Sequence, residues 1–140
     1  MRDDGWARQR AEAVRVQAER LEARQDAEHT RAEAMLRDFV AAATAAGLVP
    51  GDLQVQGYGG RGTARTGLTG WYLRVDRTAG VSTDGAFYVL TAPIGLLDRV
   101  RGIRLEPRRP PLILGAGGKD GESVPLATAL DRLLPGWRTE

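Results

Sequence analysis

Cysteine is absent from the 140-residue chain, which rules out a disulfide framework, a thiolate metal site, an iron–sulfur cluster and a cysteine nucleophile. Histidine occurs once, at His29. A multi-histidine metal centre is therefore excluded, and His29 lies in a charged, helix-like stretch where a solvated helix face is its simplest reading. No apolar run approaches the 18 residues of a membrane-spanning helix. The N-terminal sequence mixes acids with arginines where a signal peptide needs a basic end and an apolar run, so the expected location is the cytoplasm, with no membrane partner. Aromatic residues make up only 6% of the chain, and the core must be mostly aliphatic. Lysine is nearly missing as well, with a single residue, Lys119, among 20 basic side chains. That preference for arginine, together with abundant alanine, points to a GC-rich, bacterial coding bias.

Eighteen acids oppose the 20 basic residues, giving a formal charge of +2, but the balance is uneven along the chain. Residues 2–38 hold eight arginines and nine acids, a net of −1, so the remainder carries +3.

From Trp6 to about Gly47 the sequence is built from Ala, Arg, Glu and Gln without proline or internal glycine, which predicts one long helix. Asp3 and Asp4 are placed to support its start, and Gly47 with Pro50 to end it. Roughly forty residues make a rod of about 60 Å, too long to be covered by a small domain. Ala11, Val14, Ala18, Leu21, Gln25, Glu28, Ala32, Met35 and Phe39 form a thin, interrupted coiled-coil-like seam. Beyond Met35 the stripe broadens through Leu36, Phe39, Val40, Ala43 and Leu48 and suits packing on a sheet. The expected division is a projecting helical extension, residues 1–31, and a small α+β domain, residues 32–140, that includes the docked end of the helix. Interleaved charges on the extension suit self-association or contact with a partner protein better than a basic nucleic-acid arm.

Past Pro50 the pattern alternates with a period of two. Strands are predicted at 53–56, at 71–76 with Trp71, Leu73 and Val75 on one face, near 81–83 and at 86–91, with Asp84-Gly85 as a tight hairpin turn. A short helix after Pro93 should turn Ile94, Leu97 and Val100 inward. Residues 103–107 and 112–115 read as further strands around a stiff Arg-Arg-Pro-Pro turn, and a last helix carries Leu126, Leu130, Leu133 and Leu134. The fold class is α+β: a long N-terminal helix, an antiparallel sheet of four or five short strands, and two short helices.

Gly57, Gly59 and Gly62 have dinucleotide-fingerprint spacing, but Gly67 and Gly70 break the helix that motif requires next. In the Gly-Lys segment near Lys119, Ile113 stands where a phosphate loop needs its first glycine and Asp120 where it needs a hydroxyl; Asp120 and Glu122 fall short of a calcium loop. No cofactor or metal is therefore called for. Between Gly57 and Arg77, Tyr58, Arg61, Arg65, Tyr72, Arg74 and Arg77 interleave guanidinium groups and rings around a glycine-rich backbone read as a loop. Such a constellation suits nucleic acid or another anionic ligand, since guanidinium forks match phosphate and carboxylate and rings stack on bases. It suits equally a long hairpin in an arginine-rich protein, with Trp71 as core. Asp76 and Asp84, with Ser82, Thr83, Tyr72 and Tyr88 near them, fix no nucleophile beside a base. The favoured reading is a non-catalytic interaction module with a contact helix and an anion-recognising loop. The alternative is a small enzyme or ligand-binding domain using that loop as a phosphate clamp, with Asp84 or Asp76 as base.

Overall fold

The computed structural model describes residues 2–115 and 123–138. Helix α1, Arg2–Ala46, runs for 45 residues and ends where the Leu48 N–H reaches back to the Ala43 carbonyl at 2.9 Å, as glycine-terminated helices do. The chain then forms β1 (Gly51–Gln56), β2 (Thr63–Tyr72), β3 (Ala79–Ser82) and β4 (Phe87–Val89), an antiparallel sheet in sequence order. Helix α2 (Leu96–Arg101), the short ladder of β5 (Ile113–Leu114) with β6 (Val124–Pro125), and helix α3 (Leu126–Leu133) complete an α+β fold. No described helix is long and apolar enough to cross a membrane.

Ala32, Leu36, Phe39 and Ala43 recur every four, three and four residues on α1 and are fully buried, because that spacing keeps one helix face against the sheet. They pack with Trp71, Val81 and Phe87 and with Leu126, Ala129 and Leu130 of α3. A smaller cluster of Leu53, Tyr88 and Leu90 fills the other face of the sheet. The sheet curls toward closure there: Gln56 N–H donates to the Leu90 carbonyl at 2.8 Å, and Ala92 N–H to the Gln56 carbonyl at 3.0 Å. Between Asp4 and Arg31 no described side chain is buried, and Val14 and Leu21 of the seam stand exposed.

The structure departs from the sequence reading at several elements. The glycine-rich stretch after Gly62 is strand, not loop: β2 begins at Thr63 and pairs with β1 from Gln56↔Thr63 to Gly51↔Gly70. Its glycines are accommodated by a bulge in which 66–68 oppose the single residue Leu53, held by Thr66 Oγ1 donating to the Leu53 carbonyl at 2.6 Å. The strand expected at 71–76 ends at Tyr72, and Val75, expected inward, is 88% exposed. Residues 103–107 form no strand, since Pro107 has no N–H to donate and the segment meets β4 only where Arg108 N–H donates to the Phe87 carbonyl at 2.9 Å. On α2, Leu97 and Val100 are outward at 67% and 71% exposure, with Leu96 beside them.

His29 is half-buried rather than solvated, its Nδ1 2.9 Å from the Pro110 carbonyl. A carbonyl only accepts, so Nδ1 carries the proton. Next to it Arg109 donates to Asp26, Thr30 and Glu33, three residues on one flank of α1. Pro110 favours an extended Arg109, and the arginine thus bridges from the segment following α2 to the long helix. Hydrogen bonds from Arg109, with its charge, hold the Asp26 and Glu33 carboxyls below their ordinary values. A lowered folded value means that the attachment is complete above the unfolded carboxylate range near pH 4 and is lost as pH falls through the lowered values. Hydrogen exchange of amides 26–33, measured against the intrinsic rate at each pH, is expected to accelerate selectively as pH falls below about 4. Arg109→Ala is expected to remove that pH step, and a step that survives the substitution would assign it to other groups.

Candidate anion-binding surface

Two elements distant in sequence meet beside the glycine-rich turn. The connection from β1 to β2 makes one 3₁₀ turn, Tyr58–Gly60, then reaches Gly62 at φ 82°. The Arg99 guanidinium of α2 lies directly over Gly62: a Cβ there would stand 2.7 Å from Nε. Glycine is required by the backbone conformation, while a side chain there would also push Arg99 aside. Three residues further, in β2, Arg65 donates from Nη2 to the Val100 carbonyl at 2.9 Å, and its own carbonyl accepts from Ile103 N–H at 2.7 Å. These contacts fix α2 against β2 and bring Arg65 and Arg99 to one junction; Arg61 closes the turn before β2, Arg101 ends α2 and Arg104 follows three residues on.

All five arginines are exposed, and among the described residues none has a carboxylate within ion-pair distance. Asp98, the acid within α2, accepts from Gly95 N–H at 2.8 Å and serves the helix start. Several like charges in neighbouring segments, none neutralised by an ion pair, raise the local potential and attract an anion. At the edge of this surface Gly57, Tyr58, Arg61, Pro93 and Ile94 line a shallow hollow of about 450 Å³, with Tyr58 exposed.

The six residues singled out from sequence therefore separate. Tyr58, Arg61 and Arg65 belong to this surface. Tyr72 is half-buried in the smaller core cluster, its hydroxyl accepting from Gln54 N–H at 2.9 Å. Arg77, at φ 62°, places its guanidinium 5.4 Å from the Tyr72 ring. Arg74 turns inward, its side chain only 10% exposed, and donates to both oxygens of Asp76 and to the Leu114 carbonyl. Arg99, Arg101 and Arg104 escaped the sequence reading, because the segment after Pro93 offers a helical apolar period and 103–107 a strand pattern, neither of which draws attention to its arginines.

Neither acid considered as a base is placed for that role. Burial alone would raise Asp76, but hydrogen bonds from Arg74 and Thr78, with the Arg74 charge, outweigh it and leave the carboxyl below its ordinary value. Asp84 accepts from the Ser82 hydroxyl within the hairpin turn. Residues 116–122, with Lys119, Asp120 and Glu122, lie outside the described residues. Among the described residues no group of acids or histidines has the geometry of a metal site. No family model matches this chain, and no curated protein or solved structure does so either.

Proposed function

We propose that this protein is a non-catalytic binding module that engages nucleic acid through Arg61, Arg65, Arg99, Arg101 and Arg104. The observation that carries the reading is the junction of two elements some 35 residues apart, where Arg65 reaches the end of α2 and Arg99 lies over Gly62, with Arg61, Arg101 and Arg104 exposed in the same segments and no carboxylate within ion-pair distance of the five among the described residues. Planar forks suit the phosphate backbone, and the hollow beside Tyr58 offers a ring on which a base can stack. A binding role rather than an acid–base role fits the carboxyls: those with displaced titration are held ionised by arginines, whereas a general acid needs its carboxyl raised toward neutrality.

The test is binding of single-stranded RNA and DNA across a salt series. Replacing Arg61, Arg99 and Arg101 together with glutamine is expected to weaken low-salt affinity at least about tenfold and to reduce the slope of log K against log salt by about 2, the loss of three phosphate contacts. The matched control replaces Arg8, Arg10 and Arg15 on the exposed helix, the same change in charge elsewhere, and should leave binding close to that of the parent chain. Equal losses in the two variants, or no binding at low salt, would overturn the proposal.

A further inference from the structure

A second feature adjoins the arginine surface at Tyr58: a cleft of about 860 Å³ between the β3–β4 side of the sheet and the chain from Arg108 to Gly115. Its depth is apolar. Phe87 and Leu114 are buried and Val89 half-buried, so the inner wall offers aromatic and branched aliphatic surface. Its mouth is polar, with Tyr58 and Arg108 exposed and Thr91 between them. Pockets of this size, mostly apolar with a few polar groups at one end, are the usual form of a small-ligand site.

Charge at the mouth selects the ligand. Arg74 and Asp76 both line the cleft, but they are joined to each other and cancel. Arg109 lines it too, yet its guanidinium is held by Asp26 and Glu33 on α1. Arg104 and Glu106 border an adjoining hollow of about 400 Å³ and are of opposite sign. Of the guanidinium groups lining the cleft, Arg108 is left without an ion-pair partner among the described residues, and its main chain is fixed by the bond to Phe87. One guanidinium on an anchored main chain, beside an apolar interior, matches one carboxylate on an apolar body. A polyphosphate would bring several charges to a single cation, and a neutral hydrocarbon would leave that cation without an anion.

We infer that this cleft is a binding site for a small aromatic or branched aliphatic monocarboxylate, its apolar part against Phe87, Val89 and Leu114 and its carboxylate at Arg108. The inference does not depend on the nucleic-acid reading, because none of the five arginines of that surface is needed for it.

The probe is 2-naphthoate, titrated into the full chain and followed by amide chemical shifts and calorimetry, with uncharged 2-naphthamide as its comparator. Saturable shifts are expected at Val89, Thr91 and Arg108, with naphthoate bound about tenfold more tightly than naphthamide, the worth of a hydrogen bond to a charged group. Arg108→Gln should abolish that preference while leaving naphthamide binding unchanged. The glutamine variant of Arg61, Arg99 and Arg101 should bind both compounds as the parent chain does. Absence of saturable shifts in the cleft, equal affinity for the two compounds, or indifference of naphthoate to Arg108→Gln would each overturn the inference.

Discussion

Replacing Phe39 with alanine is expected to destabilise the fold by about 3–5 kcal/mol, the usual cost of removing a fully buried aromatic ring. Phe39 has no exposed surface and meets two indoles edge to face, Trp71 at 5.8 Å and Trp137 at 5.7 Å between ring centres. It thus joins α1, the sheet and the chain after α3 in one contact. Removing it leaves a void bordered by three elements that cannot all close on it, and also the aromatic pairs, worth about 0.5–1.5 kcal/mol each. The loss is large beside the roughly 5–15 kcal/mol total of a typical domain. Urea unfolding followed by tryptophan fluorescence measures it directly, since both indoles lose their neighbour. Leu21→Ala is the control. Leu21 is 49% exposed on the uncovered half of the same helix, and its change should stay within about 0.5 kcal/mol. A Phe39→Ala cost below about 1 kcal/mol would mean that the docked end of α1 is not part of the cooperative core.

Gly70→Ala is the second severe substitution, for a reason of approach rather than conformation. A Cβ at Gly70 would stand 1.9 Å from the Val81 carbonyl oxygen and 2.7 Å from the Ser82 Cα, both backbone atoms of the facing strand. A flexible side chain can swing away, but a strand backbone moves only by breaking its ladder. The pairs Gly70↔Ser82 and Trp71↔Val81 would have to part, and Trp71 would lose its position on Phe39. Overpacking of this kind costs 1–3 kcal/mol where neighbours yield; with backbone on both sides we expect about 3 kcal/mol or more. Gly67→Ala provides the comparison: its φ is 73°, but open space surrounds its missing Cβ, so only conformational strain of about 1–2 kcal/mol is expected. Thermal unfolding of the two variants distinguishes the mechanisms. If Gly67→Ala proves the more damaging, close contact at Gly70 is not what requires glycine there.

Much of the fold was legible because it rests on local periodicity. The stripe of Met35, Leu36, Phe39, Val40, Ala43 and Leu48 marked the docked face of α1, and Leu126, Leu130, Leu133 and Leu134 marked α3. Where the reading failed, a local signal met a distant partner. Gly67 and Gly70 are strand breakers by propensity, yet one lies in a bulge opposite Leu53 and the other under the Val81 carbonyl. Leu97 and Val100 have helical period, but α2 is positioned by main-chain and arginine contacts to Arg65, which turn those apolar positions outward.

The candidate site divides in the same way. Tyr58, Arg61 and Arg65 were visible as residues of the right chemistry near glycine, whereas Arg74 had the same chemistry and turned inward to Asp76. Sequence alone determined the long helix, the antiparallel meander, and the exclusion of thiol chemistry and multi-histidine metal centres, since these depend on composition and on neighbours within a few positions. The tertiary structure decided which arginines stand without counter-charge, how Arg109 and His29 attach to the helix, and that a cleft opens at Arg108. The reason is that desolvation and ion pairing depend on groups that only folding brings together: Arg109 and Asp26 are 83 residues apart along the chain and in contact in space.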